Sequence, residues 1–187
     1  MDKSDSILLI SGSLRNNSTN SSLLRTAQLI APPGHRAVFY EDVGELPHFN
    51  PDIDAGAVPE RVADLRATIR SADAVLFCTP EYAGALPGSF KNLLEWAVGD
   101  DHTRSLYGKP VAWINVSQRG AENAHESLRK VLGYLGTVIV ESACVRIPVA
   151  RSDVGGAGLI DSVHIRMLIS ASISELIKNL HSPSQLN

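Results

Sequence analysis

The stretch Ile7-Leu8-Leu9-Ile10-Ser11-Gly12, residues 7–12, is a short apolar run that stops at a glycine. Four further runs of this kind follow along the chain, at residues 35–40, 74–79, 111–117 and 137–145. Residues 74–78 are apolar at consecutive positions, which is typical of a strand covered on both faces. Each of the five runs is therefore predicted to be a β-strand of a buried sheet.

Segments of helical period separate the predicted strands. Helices are expected over residues 21–29, near Pro87 or Gly88, and from Pro59, Asn123 and Asp161 onward. This alternation predicts an α/β fold with a doubly wound five-stranded parallel sheet, and right-handed crossovers favour the strand order 2-1-3-4-5. Ligands bind such sheets beyond the carboxyl ends of the strands, so the loops after Ser11, Thr79 and Ser117 are where function is expected.

Composition and charge narrow the class of protein. The 187 residues fit one domain, residues 1–187, and the formal net charge of -3 comes from interspersed acids and bases, without the basic face that nucleic acids need. No segment has the roughly 20 apolar residues that span a bilayer, and the amino terminus lacks a signal-peptide pattern. Cys78 and Cys144 fit buried, reduced thiols, and the histidines lack metal-site spacing. A cytoplasmic protein with a small-molecule partner, and without nucleic acid, membrane or metal, is expected.

The loop after the first strand carries donors for an anion. Ser13 and Ser18 supply hydroxyls, Arg15 supplies a planar guanidinium, and Asn20 supplies an amide, just where a helix begins. Free backbone N–H groups and the helix dipole favour a negative ligand at such a point, and these side chains suit a phosphate monoester. Neither a P-loop nor a G-x-G-x-x-G fingerprint is present. The alternative is ordinary helix capping, which by itself explains Ser, Thr and Asn at a helix start.

The loop after the third strand is stiffened by two prolines and two glycines, within residues 79–88. A rigid turn of this kind offers a flat platform and backbone donors to a planar heterocycle. Tyr82 is placed to border such a ring, and Glu81 to face it with its backbone N–H or its carboxylate. The alternatives are a solvated acid for Glu81 and a plug at the sheet end for Tyr82. Lys91 is interpreted as a structural ion-pair or capping residue, and Trp96 as a core or subunit-interface residue.

These two loops resemble the signature segments of the NADPH-dependent FMN reductases. Residues 12–20 match G-S-L-R-x-x-S-x-N, and residues 79–96 resemble T-P-E-Y-N followed by P-G-x-L-K-N-x-x-D-W. Shorter matches lie at residues 45–50 and 106–111, so the resemblance covers most of the chain. It implies a flavodoxin-like fold, non-covalent FMN, NADPH or NADH as hydride donor, and a homodimer or dimer of dimers. Residues 41–58 and 99–109 are long enough to reach a neighbouring subunit.

The resemblance also implies roles for particular residues. The FMN phosphate is expected at Ser13, Arg15, Ser18 and Asn20, and the isoalloxazine ring at Pro80, Glu81, Tyr82, Ala83 and Gly84. The loop after the fourth strand, with Ser117, Gln118 and Arg119, is expected at the pyrimidine end of the flavin. Arg119 is a candidate for stabilising the anionic reduced flavin by charge, or else an arginine exposed at a loop tip. Three departures from the family pattern stand out: Ala83 in place of Asn, Glu95 in place of Asp, and a single glycine in residues 117–123.

The expected activity is an oxidoreductase in which the cofactor carries the chemistry, so no catalytic side chain is predicted. Hydride comes from NAD(P)H, and relatives pass the electrons to free flavin, quinones, azo dyes or oxidised metal ions. Two alternatives stay open at this stage. One is a flavodoxin-like electron carrier or redox sensor that does not oxidise NAD(P)H. The other is a phosphate-monoester hydrolase, which needs a nucleophile and a base that the phosphate loop does not show.

Overall fold

The computed structural model describes residues 4–98 and 105–180. It has six strands: β1 Asp5–Ser11, β2 His35–Tyr40, β3 Ala74–Cys78, β4 Pro110–Asn115, β5 Val138–Ile139 and β6 Val145–Arg146. Its α-helices are α1 Thr19–Leu29, α2 Pro51–Asp54, α3 Glu60–Ser71, α4 Gly88–Val98, α5 Glu122–Tyr134 and α6 Val163–Lys178. Short 3-10 turns lie at Asp42–Glu45, Glu141–Ala143 and Arg151–Asp153.

The strands form one parallel sheet in the order β2-β1-β3-β4-β5, as predicted. Successive residues of β1 point to opposite faces: Leu8 and Ile10 join the core beneath α3, α4 and α5, whereas Ile7 and Leu9 join the core beneath α1 and α6. Both faces of the sheet are therefore covered by helices, which is why the central strands are apolar at consecutive positions.

The fifth strand differs from the prediction of one strand over residues 137–145. β5 pairs with the start of β4, β6 pairs with its end, and the 3-10 turn Glu141–Ala143 lies between them, so the sheet has six strands. At this turn the chain leaves the sheet to contact α6: Ala143 is fully buried, and its carbonyl accepts a hydrogen bond of 2.7 Å from the Ser172 hydroxyl. Burial of the turn against α6 thus replaces the middle of the strand, which an apolar pattern cannot distinguish from continued pairing.

Trp96 and Lys91 have the structural roles that the sequence indicated. Trp96 is fully buried, and its Nε1–H donates to the Pro47 carbonyl at 2.8 Å. Asn92 accepts from the Phe49 N–H at 2.7 Å, so α4 holds the segment around Pro47 and Phe49 against its side. Lys91 forms an ion pair of 2.7 Å with Glu95 one turn along the helix. Of the two segments predicted to reach a neighbour, residues 41–58 bury Val43 and Leu46 in the core of this chain and leave most other positions exposed. Residues 99–104 of the second segment lie outside the described residues.

Residues 4–98 and 105–180 contain neither a membrane-spanning helix nor a cluster of metal-ligating side chains. No helix there is long and apolar enough to cross a membrane. No group of three or more His, Cys, Asp or Glu side chains there is arranged to hold a metal ion.

Candidate cofactor site

The loops that follow β1, β3 and β4 meet around a cavity of about 470 Å³ at the carboxyl edge of the sheet. Ten of the twelve predicted site residues line it: Ser13, Arg15, Ser18, Asn20, Pro80, Glu81, Tyr82, Ser117, Gln118 and Arg119. Ala83 and Gly84 are exposed and do not line it. The parallel topology explains the convergence, because all three strands end on the same edge.

Gly12 sets the position of the first loop. Its N–H donates to the Cys78 carbonyl at 2.9 Å, and a Cβ added at Gly12 would lie 2.2 Å from Thr79 Oγ1 and 2.7 Å from Thr79 Cβ. Only glycine permits this approach between the loops after β1 and β3. The same backbone turn is held by Ser11, whose hydroxyl accepts from the Ser13 N–H at 3.2 Å.

Ser18 and Asn20 are buried at the first turn of α1. The Ser18 hydroxyl oxygen accepts from the Asn20 N–H at 3.2 Å, so Ser18 is the N-cap of α1, as expected if this loop caps the helix. Capping uses only an acceptor site, and the Ser18 O–H remains a donor. The Asn20 side-chain oxygen accepts from the Cys78 thiol at 3.3 Å, which orients the amide. Burial raises the pKa of Cys78, so this sulfur stays a protonated donor.

Arg15 is the charged group of the loop. Its side chain is exposed, and its guanidinium has no hydrogen-bond or ion-pair partner among the described residues. The first turn of α1 contains no acidic residue to match the helix dipole. Among the described residues, no acidic side chain pairs with Arg15 or with the start of α1. The donors of this loop therefore fit the phosphate of FMN.

Glu81 joins the second loop to the third. Its carboxylate accepts from the Ala124 N–H at 3.0 Å, at the amino terminus of α5. That terminus needs an external acceptor, because its N-cap residue is Ala121, which has no polar side chain and a φ of 57°. The Glu81 carboxylate is therefore engaged by the helix, and the expected contact with a ring falls to its backbone.

The third loop is shaped by two side chains outside it. The Asn115 carboxamide accepts from the Ser117 N–H at 2.9 Å and donates to the Gly120 carbonyl. Arg146 of β6 donates to the carbonyls of Ser117 and Gln118 at 3.2 Å and 3.1 Å. These contacts end β4 two residues before the predicted boundary. They fix a loop that has a single glycine, the departure from the glycine-rich family pattern noted above.

Arg151 also lines the cavity, and the sequence reading missed it. It follows β6, in a 3-10 turn at the same edge of the sheet. The rule that led to the loops after Ser11, Thr79 and Ser117 applies equally to the last strand. Arg151 lies five residues beyond β6, and backbone hydrogen bonds from Ile147 to Asn115 and from Val149 to Val116 bring this segment alongside the end of β4, which spacing in the sequence does not show.

Ala83 lies in a tight turn that is strained for alanine. Residues 82 and 85 exchange two backbone hydrogen bonds of 3.1 Å, and the central residues Ala83 and Gly84 have φ values of 51° and 73°. Two positive φ values are the signature of a type I′ turn, which prefers Asn-Gly. We expect Ala83→Asn to raise the free energy of unfolding by about 0.5–1 kcal/mol, measured by urea denaturation with an unchanged m value. Ala85→Asn, in the same turn at ordinary φ, is the control, and an equal gain there would contradict the strain at Ala83.

His125 is buried on α5 with one ring nitrogen unsatisfied. Its Nδ1–H donates to the Ala121 carbonyl at 2.8 Å, whereas Nε2 has no partner. Burial lowers the pKa of His125, and the Ala121 hydrogen bond and the charges of Glu81 and Glu122 only partly oppose this effect. The imidazole is therefore neutral in the folded protein at neutral pH.

This depressed pKa predicts acid sensitivity. Because the unfolded state takes up the proton first, stability is lost as pH falls through the unfolded pKa of about 6.5, with a slope approaching at most about 1.4 kcal/mol per pH unit. We expect His125→Gln, which cannot titrate, to lose less stability than the wild type between pH 7.5 and 5, as measured by chemical denaturation at each pH. Parallel stability curves for the two proteins would contradict the prediction.

Comparisons with known proteins agree on one family. Residues 6–151 match the family described as NADPH-dependent FMN reductase. An NAD(P)H-dependent FMN reductase from Pseudomonas aeruginosa is 34% identical over 172 residues, covering 91% of this chain and 92% of the relative. A quinone reductase from Pseudomonas putida is 35% identical, covering 81% of this chain and 78% of the relative.

The similarity extends to a solved structure. FerB, a flavoenzyme NAD(P)H:(acceptor) oxidoreductase from Paracoccus denitrificans, has a TM-score of 0.79 and 29% identity, over 93% of this chain and 98% of FerB. The flavodoxin-like fold expected from the strand order is thus confirmed. With a family match over most of its length and relatives that share about a third of its residues, this chain belongs to the NADPH-dependent FMN reductase family and is an FMN-dependent NAD(P)H oxidoreductase.

Proposed function

We propose that the protein, as one domain over residues 1–187, binds FMN non-covalently in the 470 Å³ cavity. Ser13, Arg15, Ser18 and Asn20 hold the phosphate, and the ring lies between two rigid loops, Pro80–Tyr82 and Ser117–Arg119. The observation that carries this assignment is Arg15, an unpaired guanidinium beside buried hydroxyl and amide donors at the start of α1. A phosphate dianion satisfies that set, and Arg binds it in a bidentate manner.

The chain's own residues bind and orient the reactants. When bound, FMN supplies the capacity to accept hydride from NAD(P)H and to deliver electrons to an acceptor. The Glu81–Ala124 hydrogen bond fixes the second loop to α5, and Arg146 fixes the third loop, so both walls of the ring cavity are rigid. Arg119 lines the cavity at the third loop, and its positive charge would stabilise an anionic ring bound there. Rigid walls and fixed charge are what this chemistry requires of the protein.

A small quinone is the proposed electron acceptor. The support is that relatives at 33–35% identity are named quinone reductases or 2-hydroxy-1,4-benzoquinone reductase. A planar quinone also fits a cavity open beside the ring loop, with Tyr82 exposed at its edge. Free flavin, an azo dye and chromate are the competing acceptors, so the assay compares kcat/KM for all four classes.

The test is an absorbance spectrum of the purified protein with FMN, followed by anaerobic NADPH and NADH. We expect bound flavin to bleach with either or both donors and to be reoxidised by a benzoquinone. Flavin that is reduced by dithionite but by neither dinucleotide would overturn the proposal and favour the electron carrier. Benzoquinone turnover at least tenfold below that with the best other acceptor would overturn the quinone assignment alone.

We also propose that the protein forms a homodimer or a dimer of dimers. An apolar groove of about 360 Å³ runs between α4 and α5, lined by Phe49, Leu94, Val98, Val131 and Tyr134, together with the stems of three charged side chains. Tyr134 is 83% exposed and Val98 38%. Exposed apolar surface of this kind favours contact with a second copy. Light scattering is expected to give at least twice 20.1 kDa for the wild type and the monomer mass for Val98→Asp. An oligomer that is unchanged by this substitution would contradict the groove as interface.

A cytoplasmic location stays a prediction. Its support is that Cys78 and Cys144 are both free thiols, as is usual in proteins of reducing compartments. Cys78 is fully buried and Cys144 is partly buried. Fractionation of the native host, with a periplasmic or secreted marker as comparison, tests it.

A further inference from the structure

A second cavity adjoins the proposed FMN site. It has a volume of about 640 Å³ and shares Arg15, Asn17, Thr19 and Arg151 with the first cavity. Its own wall is formed by Arg25 on α1 and by the glycine-rich loop at residues 155–158. We call it the arginine cavity, after Arg15, Arg25 and Arg151.

The charged side chains that line the arginine cavity are all positive. Three arginines line it, and no Asp or Glu does so among the described residues, although the protein carries a net charge of -3. The guanidinium of Arg151 has no ion-pair or hydrogen-bond partner within the described ranges. Arg25 lies 4.7 Å above the Phe39 ring and donates to Glu41 at 2.9 Å, in a pair whose side chains are about half exposed. An exposed pair of this kind is weak, so Arg25 can exchange Glu41 for a phosphate.

The wall opposite α1 is held in place. The Ile160 N–H donates to the buried Thr26 hydroxyl of α1 at 2.9 Å, and the Asp153 carboxylate accepts from the Ala150 N–H at 2.7 Å. Gly155 lies so close to Asp161 that a Cβ would meet its carboxylate at 2.1 Å. These contacts anchor both ends of the loop that carries Arg151. The cavity is thus pre-organised around its cations, which lowers the cost of binding an anion.

A second cationic cavity beside the first suits the phosphate-bearing half of a dinucleotide hydride donor. The nicotinamide must lie at the ring end of the first cavity, while the remaining length of the dinucleotide, with its phosphates, must lie elsewhere. The arginine cavity opens from the phosphate end, where two anionic ligands would repel each other. Arg15 and Arg151 line both cavities, so their positive charges can reduce the repulsion between an anion in one cavity and an anion in the other.

We propose that the arginine cavity binds the adenosine half of NADPH, with Arg25 and Arg151 contacting its 2′-phosphate and favouring NADPH over NADH. This inference rests on the FMN site proposed above. A guanidinium recognises a phosphate monoester through paired charge-assisted hydrogen bonds, which a ribose hydroxyl cannot replace. Arg25 and Arg151 are therefore specificity residues of the known reaction.

The test is calorimetric titration of the flavin-loaded protein with 2′,5′-ADP and with 5′-ADP. We expect 2′,5′-ADP to bind more tightly. Arg25→Gln and Arg151→Gln should each weaken its binding about tenfold, as the loss of one charged contact predicts, and weaken 5′-ADP by less than about threefold. Arg61→Gln is the matched control, because it lies on α3 across the sheet and pairs with Asp42. In steady-state assays the KM for NADPH should rise by the same factor.

The possible outcomes distinguish a failure of the NADPH site from a failure of the FMN site. Flavin-loaded protein that binds 2′,5′-ADP equally well with either arginine removed would overturn this proposal alone. Equal losses for 2′,5′-ADP and 5′-ADP would overturn the assignment of the 2′-phosphate. A wild-type protein that cannot be loaded with FMN would overturn the proposed FMN site instead, and this inference with it.

Discussion

Arg15→Gln is expected to weaken FMN binding by about 50-fold, roughly 2.4 kcal/mol, because the phosphate loses its one fully charged partner in the loop. The loop otherwise contributes neutral donors, from Ser13, Ser18 and Asn20. Arg15→Lys keeps the charge but not the planar pair of N–H groups, so an intermediate loss of about tenfold is expected. Fluorescence titration of apoprotein with FMN measures both variants.

Riboflavin provides the control for this prediction, because it has the same ring and no phosphate. Its affinity should be the same for the wild type and Arg15→Gln. If riboflavin and FMN weaken together, then Arg15 acts through the ring or through the fold, and the placement of the phosphate is wrong. The ratio of the two affinities thus isolates the contact between Arg15 and the phosphate from any change in stability.

Gly12→Ala is expected to destabilise the protein by about 3 kcal/mol, at the upper end of overpacking substitutions. The new methyl group would lie 2.2 Å from Thr79 Oγ1, 2.7 Å from Thr79 Cβ and 3.1 Å from Phe90 Cδ1. Backbone atoms must move to relieve such contacts, since Thr79 and Phe90 are both buried. Because Gly12 joins the ends of β1 and β3, the movement also separates the phosphate loop from the ring loop. A large loss of FMN affinity should therefore accompany the loss in stability.

Gly88→Ala is the matched control for Gly12→Ala. Gly88 is exposed at the start of α4, and a Cβ there would meet no atom within 4 Å. Alanine at this position should leave the urea midpoint unchanged or raise it slightly, since it favours helix. A Gly12→Ala protein that unfolds at the same urea concentration as Gly88→Ala would show that the loops after β1 and β3 do not approach as closely as described.

Local sequence patterns predicted those site residues that lie together within a single loop. Ser13, Arg15, Ser18 and Asn20 were selected because a polar loop before a helix offers donors to an anion, whatever surrounds it. The structure brings all four to one cavity. Whether they hold the phosphate stays a prediction until FMN binding is measured.

The roles of Glu81 and Ala83 depended on contacts that sequence spacing does not show. Glu81 was expected to face the ring with its backbone or its carboxylate, and the structure engages the carboxylate at Ala124, 43 positions further along the chain. Ala83 was expected beside the ring, but the type I′ turn directs it to the exterior. Arg151 was overlooked because its place at the sheet edge depends on the pairing of residues 147 and 149 with the end of β4, a contact between segments about 30 positions apart.

The sequence by itself determined the order of strands and helices, the doubly covered sheet and the three loops that meet at the candidate site. These follow from apolar periodicity and turn residues, which act over a few neighbouring positions. Tertiary structure alone decided the split of the fifth strand, the use of Glu81 as a cap and the meeting of Arg15, Arg25 and Arg151 in one cavity. The physical reason is that each of these features joins residues far apart in the chain. The fifth strand is split by burial against α6, Glu81 caps a helix that lacks a cap of its own, and a distant loop packs on α1 to bring the arginines together. Such contacts form only when the whole sheet is assembled.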